Sequence, residues 1–207
     1  MNTIRENPIV LALDVPSKEQ ALELANSCKS ELQWLKVGMR LFYAAGPQIV
    51  SDLKSLGYSV FLDLKLHDIP NTVSEAVVSL LPLNPNWITV HASGGYKMLK
   101  AAQDSLGDTQ TKLVAVTCLT SLSAEDLPLI YPGLKYTPSD WACHLAEIAL
   151  NAGLTHLVCS PQEVSLIRQR FGSDITLITP GVRPETGLDE QNSDDQSRTM
   201  TPQAALS

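Results

Sequence analysis

Between positions 61 and 72 the chain reads Phe61-Leu62-Asp63-Leu64-Lys65-Leu66-His67-Asp68-Ile69-Pro70-Asn71-Thr72, which sets a carboxylate, an ammonium, an imidazole and a second carboxylate close together. On an extended strand side chains alternate, so Phe61, Asp63, Lys65 and His67 share one face while Leu62, Leu64 and Leu66 share the other. The leucines suit an outer face covered by helices, which turns Asp63 and Lys65 inward, where an unpaired charge is too costly to persist. They are therefore expected to be paired with each other or with a neighbour such as Asp68. Flanking carboxylates keep Lys65 protonated, making it a positioned acid and not a nucleophilic amine. Two other readings fit the same residues. One is an ion pair that merely fills the interior. The other makes Asp63, His67 and Asp68 ligands of a hard divalent metal, against which Lys65 argues, because two cations in one pocket repel.

Other positions carry weaker signals. Asp14 follows an apolar run and suits sugar hydroxyls, or else serves as a turn carboxylate before Pro16. Lys36, within Trp34-Leu35-Lys36-Val37-Gly38, is an interior charge by alternation, or else a solvated lysine near a strand end. His91 closes an apolar strand, where a histidine is commonly a satisfied core residue. Thr179-Pro180-Gly181-Val182-Arg183-Pro184 offers backbone N–H groups at a glycine and an arginine suited to phosphate; a surface ion pair with the acidic residues beyond is the alternative for Arg183.

The elements that must hold these groups alternate along the chain. Short apolar runs predict strands over 9–13, 34–37, 59–66, 87–91, 112–119, 156–160 and 174–179, and helical patterns fall over 18–31, 47–56, 73–81, 97–106, 140–151 and 162–171. Ser17 and Ser139 are candidate N-caps, and Gly57, Gly107, Gly153 and Gly172 stand just past helix ends. Such alternation implies a parallel sheet with right-handed crossovers, open or closed. After Leu13 comes Asp14-Val15-Pro16-Ser17, with no glycine-rich turn for a dinucleotide, so the open form loses its best support. Polar residues recur at the C-terminal ends of the strands, where barrel enzymes place their sites. The expectation is a single α/β domain over 1–207, a TIM (β/α)8-type barrel lacking its eighth βα unit. After the seventh strand come a polar stretch, 183–201, read as a loop over the barrel mouth or a tail, and 202–207, which resemble the first turns of a seventh helix.

The 207 residues carry 15 Lys and Arg against 22 Asp and Glu, a formal charge of -7. That balance, without a basic cluster, argues against nucleic acid or an anionic membrane as partner. Cys28, Cys118, Cys143 and Cys159 lie too far apart for a metal knuckle or disulfide scaffold and read as buried thiols in a reducing compartment. Without an apolar leader or membrane span, the chain is expected in the cytoplasm.

Taken together, Leu11-Ala12-Leu13-Asp14, Lys36-Val37-Gly38, the 63–72 segment, Val90-His91-Ala92, Thr117-Cys118-Leu119-Thr120-Ser121, 179–184, Asp194-Asp195-Gln196-Ser197-Arg198 and Thr201-Pro202 resemble the orotidine 5'-phosphate decarboxylase family over essentially the whole chain. The resemblance implies that Lys65 delivers a proton to C6 of the pyrimidine and that Asp63 lies beside the departing carboxylate. It implies that Asp68, Ile69 and Thr72 reach the site of a second subunit in a homodimer. Asp14 and Lys36 then resemble ribose ligands, Ser123 or else Ser121 the pyrimidine contact, and Arg183 and Gln196 phosphate ligands. Orotidine 5'-phosphate and UMP are the implied substrate and product, with no metal or cofactor. The family continues past Thr201-Pro202 into a final strand with a Gly-Arg pair, so the 207 residues alone are expected to be a weak or inactive decarboxylase of reduced stability. Two further readings stand beside this one. A metal-dependent sugar-phosphate decarboxylase or aldolase would want an acidic ligand in place of Lys36. An inactive barrel fragment would act through exposed edge strands.

Overall fold

The computed structural model of the protein describes residues 7–182. The expectations placed on Arg183, Gln196, the polar stretch and the start of a seventh helix lie outside the described residues.

The strands form where the apolar runs predict them, most of them shorter: β1 (Val10–Ala12), β2 (Trp34–Gly38), β3 (Ser59–Leu66), β4 (Trp87–His91), β5 (Lys112–Val116), β6 (His156–Val158) and β7 (Thr176–Ile178). The helices are α1 (Lys18–Ser27), α2 (Met39–Ala45), α3 (Gln48–Ser55), α4 (Pro70–Leu80), α5 (Gly95–Asp104), α6 (Leu127–Ile130), α7 (Pro138–Asn151) and α8 (Val164–Phe171). Sequence reading leaves out α2 and α6, both short. It starts α4 and α5 a few residues late, because Pro70 at the first helical position of α4 and Gly95 opening α5 look like breakers when they are starters.

The described residues divide into two compact units, one comprising 7–90 with Ala101–Leu113, the other His91–Lys100 with 114–182. In the first, β1, β2, β3 and β4 pair in parallel in chain order, with Trp34 opposite Ser59, Gly38 opposite Asp63 and Phe61 opposite Trp87. One face of this sheet is built in layers. The Trp34 and Trp87 rings stack with centroids 3.9 Å apart and Phe61 meets Trp87 edge-on at 5.5 Å. Two residues further along the same faces come Lys36, Asp63 and Thr89, so an aromatic layer underlies a polar one. Leu35, Val37, Val60, Leu62 and Ile88 are fully buried, as parallel strands covered on both faces require. Ser17 caps α1 by accepting from the Gln20 N–H, and the buried Tyr58 hydroxyl donates to the Ala25 carbonyl at 2.6 Å. Burial raises the Tyr58 pKa.

In the second unit β5, β6 and β7 pair in parallel, again in chain order. The cap of α7 corrects the sequence reading. Thr137, and not Ser139, stands at the N-cap, with its hydroxyl accepting from the Asp140 N–H at 3.1 Å and Asp140 returning a bond to the Thr137 N–H. Pro138 at the first helical position fixes this register, two residues earlier than the periodicity suggests. Thr137→Ala is therefore expected to cost about 1 kcal/mol, lowering the thermal midpoint by a few degrees in calorimetry, while Ser139→Ala leaves it unchanged.

All four cysteines are free thiols; Cys118, Cys143 and Cys159 are buried, while Cys28 is only half-buried. Burial pushes the Cys159 thiol up to about 12, so it is inert at neutral pH. No helix among the described residues is long and apolar enough to cross a membrane.

Candidate active site

The polar layer lies at the C-terminal ends of β1, β2 and β3. Lys36 stands on β2 and Asp63 on β3, opposite Gly38, while Asp14 lies just beyond β1. Lys36 Nζ is 3.2 Å from Asp14 Oδ1 and 3.5 Å from Asp63 Oδ2, and Lys65 Nζ donates to that same Asp63 oxygen at 2.8 Å. Asp14, Lys36, Asp63 and Lys65 thus form a chain of alternating sign. Their formal charges cancel, so the Asp63 carboxylate, only 8% exposed, lies between two ammoniums and is not a lone buried charge. Lys65 keeps about a third of its side chain accessible while its ammonium rests on Asp63.

Two backbone features bring the charges together. A Cβ at Gly38 would lie 3.2 Å from both Asp14 Oδ1 and Lys36 Nζ, so the glycine is what leaves room for that ion pair. Nearby, Arg40 donates to the Asp14 carbonyl at 3.4 Å. At Lys65 the strand departs from regular alternation: its φ is 53°, in the left-handed region, and the β3–β4 register shifts there. Leu62 pairs with Ile88 and Leu66 with Val90, so Asp63, Leu64 and Lys65 together face Thr89 alone. Phe61, Asp63 and Lys65 do not share a face by plain period-two geometry. The bulge carries Lys65 back over Asp63, and His67 lies beyond the strand on the exposed turn.

Thr89 is fully buried, and its hydroxyl accepts from the Lys65 N–H at 2.7 Å and donates to Asp63 Oδ1 at 3.0 Å. Sequence reading did not single it out. The available signal was a lone hydroxyl in the middle of the apolar strand Trp87-Ile88-Thr89-Val90-His91.

The remaining candidates fall in separate places. Asp68, Ile69 and Thr72 occupy the turn after β3 and the first turn of α4, where all three are exposed and Ile69 retains 66% of its surface. Asp68 Oδ1 accepts from the Ile69 N–H at 2.6 Å, an interaction that fixes the carboxylate outside its own strand. In the second unit Ser123 is exposed after β5, and both its N–H and its hydroxyl donate to Asp126 Oδ2. Those bonds hold the Asp126 carboxyl below its usual pKa. Asp63 has both oxygens engaged, by Thr89 on one and two ammoniums on the other, which leaves it poorly suited to a metal. Among the described residues no group of three or more His, Cys, Asp or Glu could hold a metal ion.

Comparison with known proteins adds descent to this geometry. The model of the orotidine 5'-phosphate decarboxylase / HUMPS family matches residues 7–207. An orotidine 5'-phosphate decarboxylase of Streptococcus pneumoniae (strain ATCC 700669 / Spain 23F-1) is 48% identical over 200 residues, spanning 96% of this chain and 83% of the relative. Among solved structures, orotidine 5'-phosphate decarboxylase from Lactobacillus acidophilus superposes with a TM-score of 0.77 at 38% identity, covering 86% of this chain and 83% of that one. An uncharacterized conserved protein from Geobacillus kaustophilus gives a TM-score of 0.76 at 37% identity, covering 83% and 82%.

Proposed function

The chain belongs to the orotidine 5'-phosphate decarboxylase / HUMPS family and has its (β/α)-barrel class of fold, and from that premise we propose that it converts orotidine 5'-phosphate to UMP and carbon dioxide. The observation that carries this reading is the Lys36–Asp63–Lys65 arrangement, two lysine amines held against one carboxylate with about a third of the Lys65 side chain accessible.

The reaction breaks the bond between C6 of the pyrimidine and its carboxylate carbon. The electron pair stays on C6, where no adjacent group can delocalise it, so stabilisation must come from a fixed cation and preorganised dipoles. Lys65 is that cation. Asp63 holds it in place through the 2.8 Å pair, and the Lys65 ammonium gives a proton to C6 as carbon dioxide leaves, recovering one from water afterwards. The Asp63 charge also opposes the substrate carboxylate before it departs. Asp14 and Lys36, beside this pair, hold ribose hydroxyls, and binding energy gathered there and at the phosphate is used to position C6 against Lys65. Ser123 is assigned to the pyrimidine, and Arg183 and Gln196 to the phosphate.

The exposure of Asp68, Ile69 and Thr72 supports a homodimer in which these residues complete the partner subunit's site. A cytoplasmic location suits the four free thiols.

The function is tested by following the ultraviolet change as orotidine 5'-phosphate becomes UMP. Turnover is expected without added metal and unchanged in millimolar EDTA. Turnover abolished by EDTA and restored by a divalent cation would move the assignment to a metal-dependent sugar-phosphate enzyme.

A further inference from the structure

We infer that Thr89 is a positioning residue for the reaction, setting the Lys65 ammonium and the Asp63 carboxylate against each other through a single hydroxyl. The inference rests on reading Lys65 and Asp63 as the reacting groups. Its basis is a missing acceptor. Three residues of β3 face one residue of β4, so the Lys65 N–H has lost the ladder carbonyl that a regular strand would offer it. The Thr89 hydroxyl takes that role at 2.7 Å. Because it accepts from Lys65, its own proton is free to point elsewhere, and it goes to Asp63 Oδ1 at 3.0 Å.

This division of labour matters for the acid. Asp63 presents Oδ2 to Lys65 and Lys36 only because Oδ1 is already occupied, so the hydroxyl fixes which way the carboxylate plane faces. At the same time it anchors a lysine backbone with φ of 53°, a conformation that side chains other than glycine adopt at a cost and that persists only where surrounding bonds over-determine it. Thr89 is fully buried and β-branched on a strand, so its rotamer is itself confined. A single buried side chain thus determines both the turn from which Lys65 projects and the oxygen on which its ammonium rests.

Thr89→Val keeps the shape and removes the hydroxyl; Thr89→Ser keeps the hydroxyl and removes a methyl. The valine variant is expected to lose about 100-fold in kcat with KM within about threefold of the parent, since misplacement of a reacting group by an ångström costs on that order while ground-state binding is retained. The serine variant is expected to stay within about threefold in both constants. Crystal structures of the two variants supply a readout independent of turnover: in the valine variant Lys65 leaves the left-handed region or its ammonium leaves Asp63 Oδ2, and in the serine variant neither moves. A parent protein without decarboxylase activity would overturn the functional reading and leave the crystallographic comparison to decide the role of Thr89. A valine variant with unchanged kcat, or one whose Lys65 and Asp63 stay in place, overturns the inference. Should valine prevent folding, Thr89→Cys, whose thiol is a weak donor and acceptor, must show the same selective loss in kcat, and a cysteine variant as active as the parent overturns it equally.

Discussion

Replacing Lys65 by alanine is expected to lower kcat by at least about 10⁴-fold, because one substitution removes both the proton donor and the cation nearest the developing carbanion. The two losses reinforce each other: without the cation the carbanion is too high in energy to form, and without the acid it has nothing to quench it. Folding should survive, since Asp63 retains Lys36 at 3.5 Å and Thr89 at 3.0 Å and so is not left as a buried charge without a partner. Single-turnover measurement of carbon dioxide release, paired with a thermal melt, separates the two outcomes. A variant within tenfold of the parent would remove Lys65 from the chemistry.

A second large effect is expected from two inactive proteins mixed together. If Asp68 serves the partner subunit's site, Asp68→Ala should be nearly as inactive as Lys65→Ala, and each homodimer would then contain two defective sites. After unfolding and refolding in equal amounts, half of the dimers pair one variant with the other. In those, one site collects both substitutions and the other collects neither. The mixture should therefore recover about one quarter of the parent activity, a consequence of two-fold symmetry alone. No recovery, with dimer exchange verified by a mass-tagged subunit, would place Asp68 in its own chain's site or outside the chemistry altogether.

The need for pairing was legible because burial forbids a lone inward charge; the sequence left open whether Asp63 and Lys65 paired with each other or with a neighbour such as Asp68, and the structure pairs them with each other. The construction of that pair was not legible. Period-two alternation placed Lys65 on the inner face by counting, whereas the residue reaches that position through a left-handed turn and a register shift, features that depend on how β4 pairs and leave no trace in the spacing. Lys36 followed from the same counting rule and lies where that rule put it, close to both carboxylates. The role of Gly38 was hidden for another reason: its requirement comes from two side chains, Asp14 and Lys36, that approach from different strands. Helix starts were misplaced wherever proline or glycine opened the element, as at Pro70, Gly95 and Pro138, because those residues were read as interruptions. Seven strands could be counted from apolar runs since a parallel strand covered on both faces needs little else.

The stacked indoles of Trp34 and Trp87 give the molecule a property unrelated to turnover. At 3.9 Å their transition dipoles are close enough to couple, so the first unit carries an optical signature that exists only while β2 and β4 keep their places on either side of β3. Trp141, the remaining tryptophan, belongs to the second unit and sits among Tyr131, Tyr136 and His144. The two halves of the chain are thus labelled by different chromophores, and circular dichroism set beside fluorescence would show whether they melt as one body or in sequence, with no dye attached.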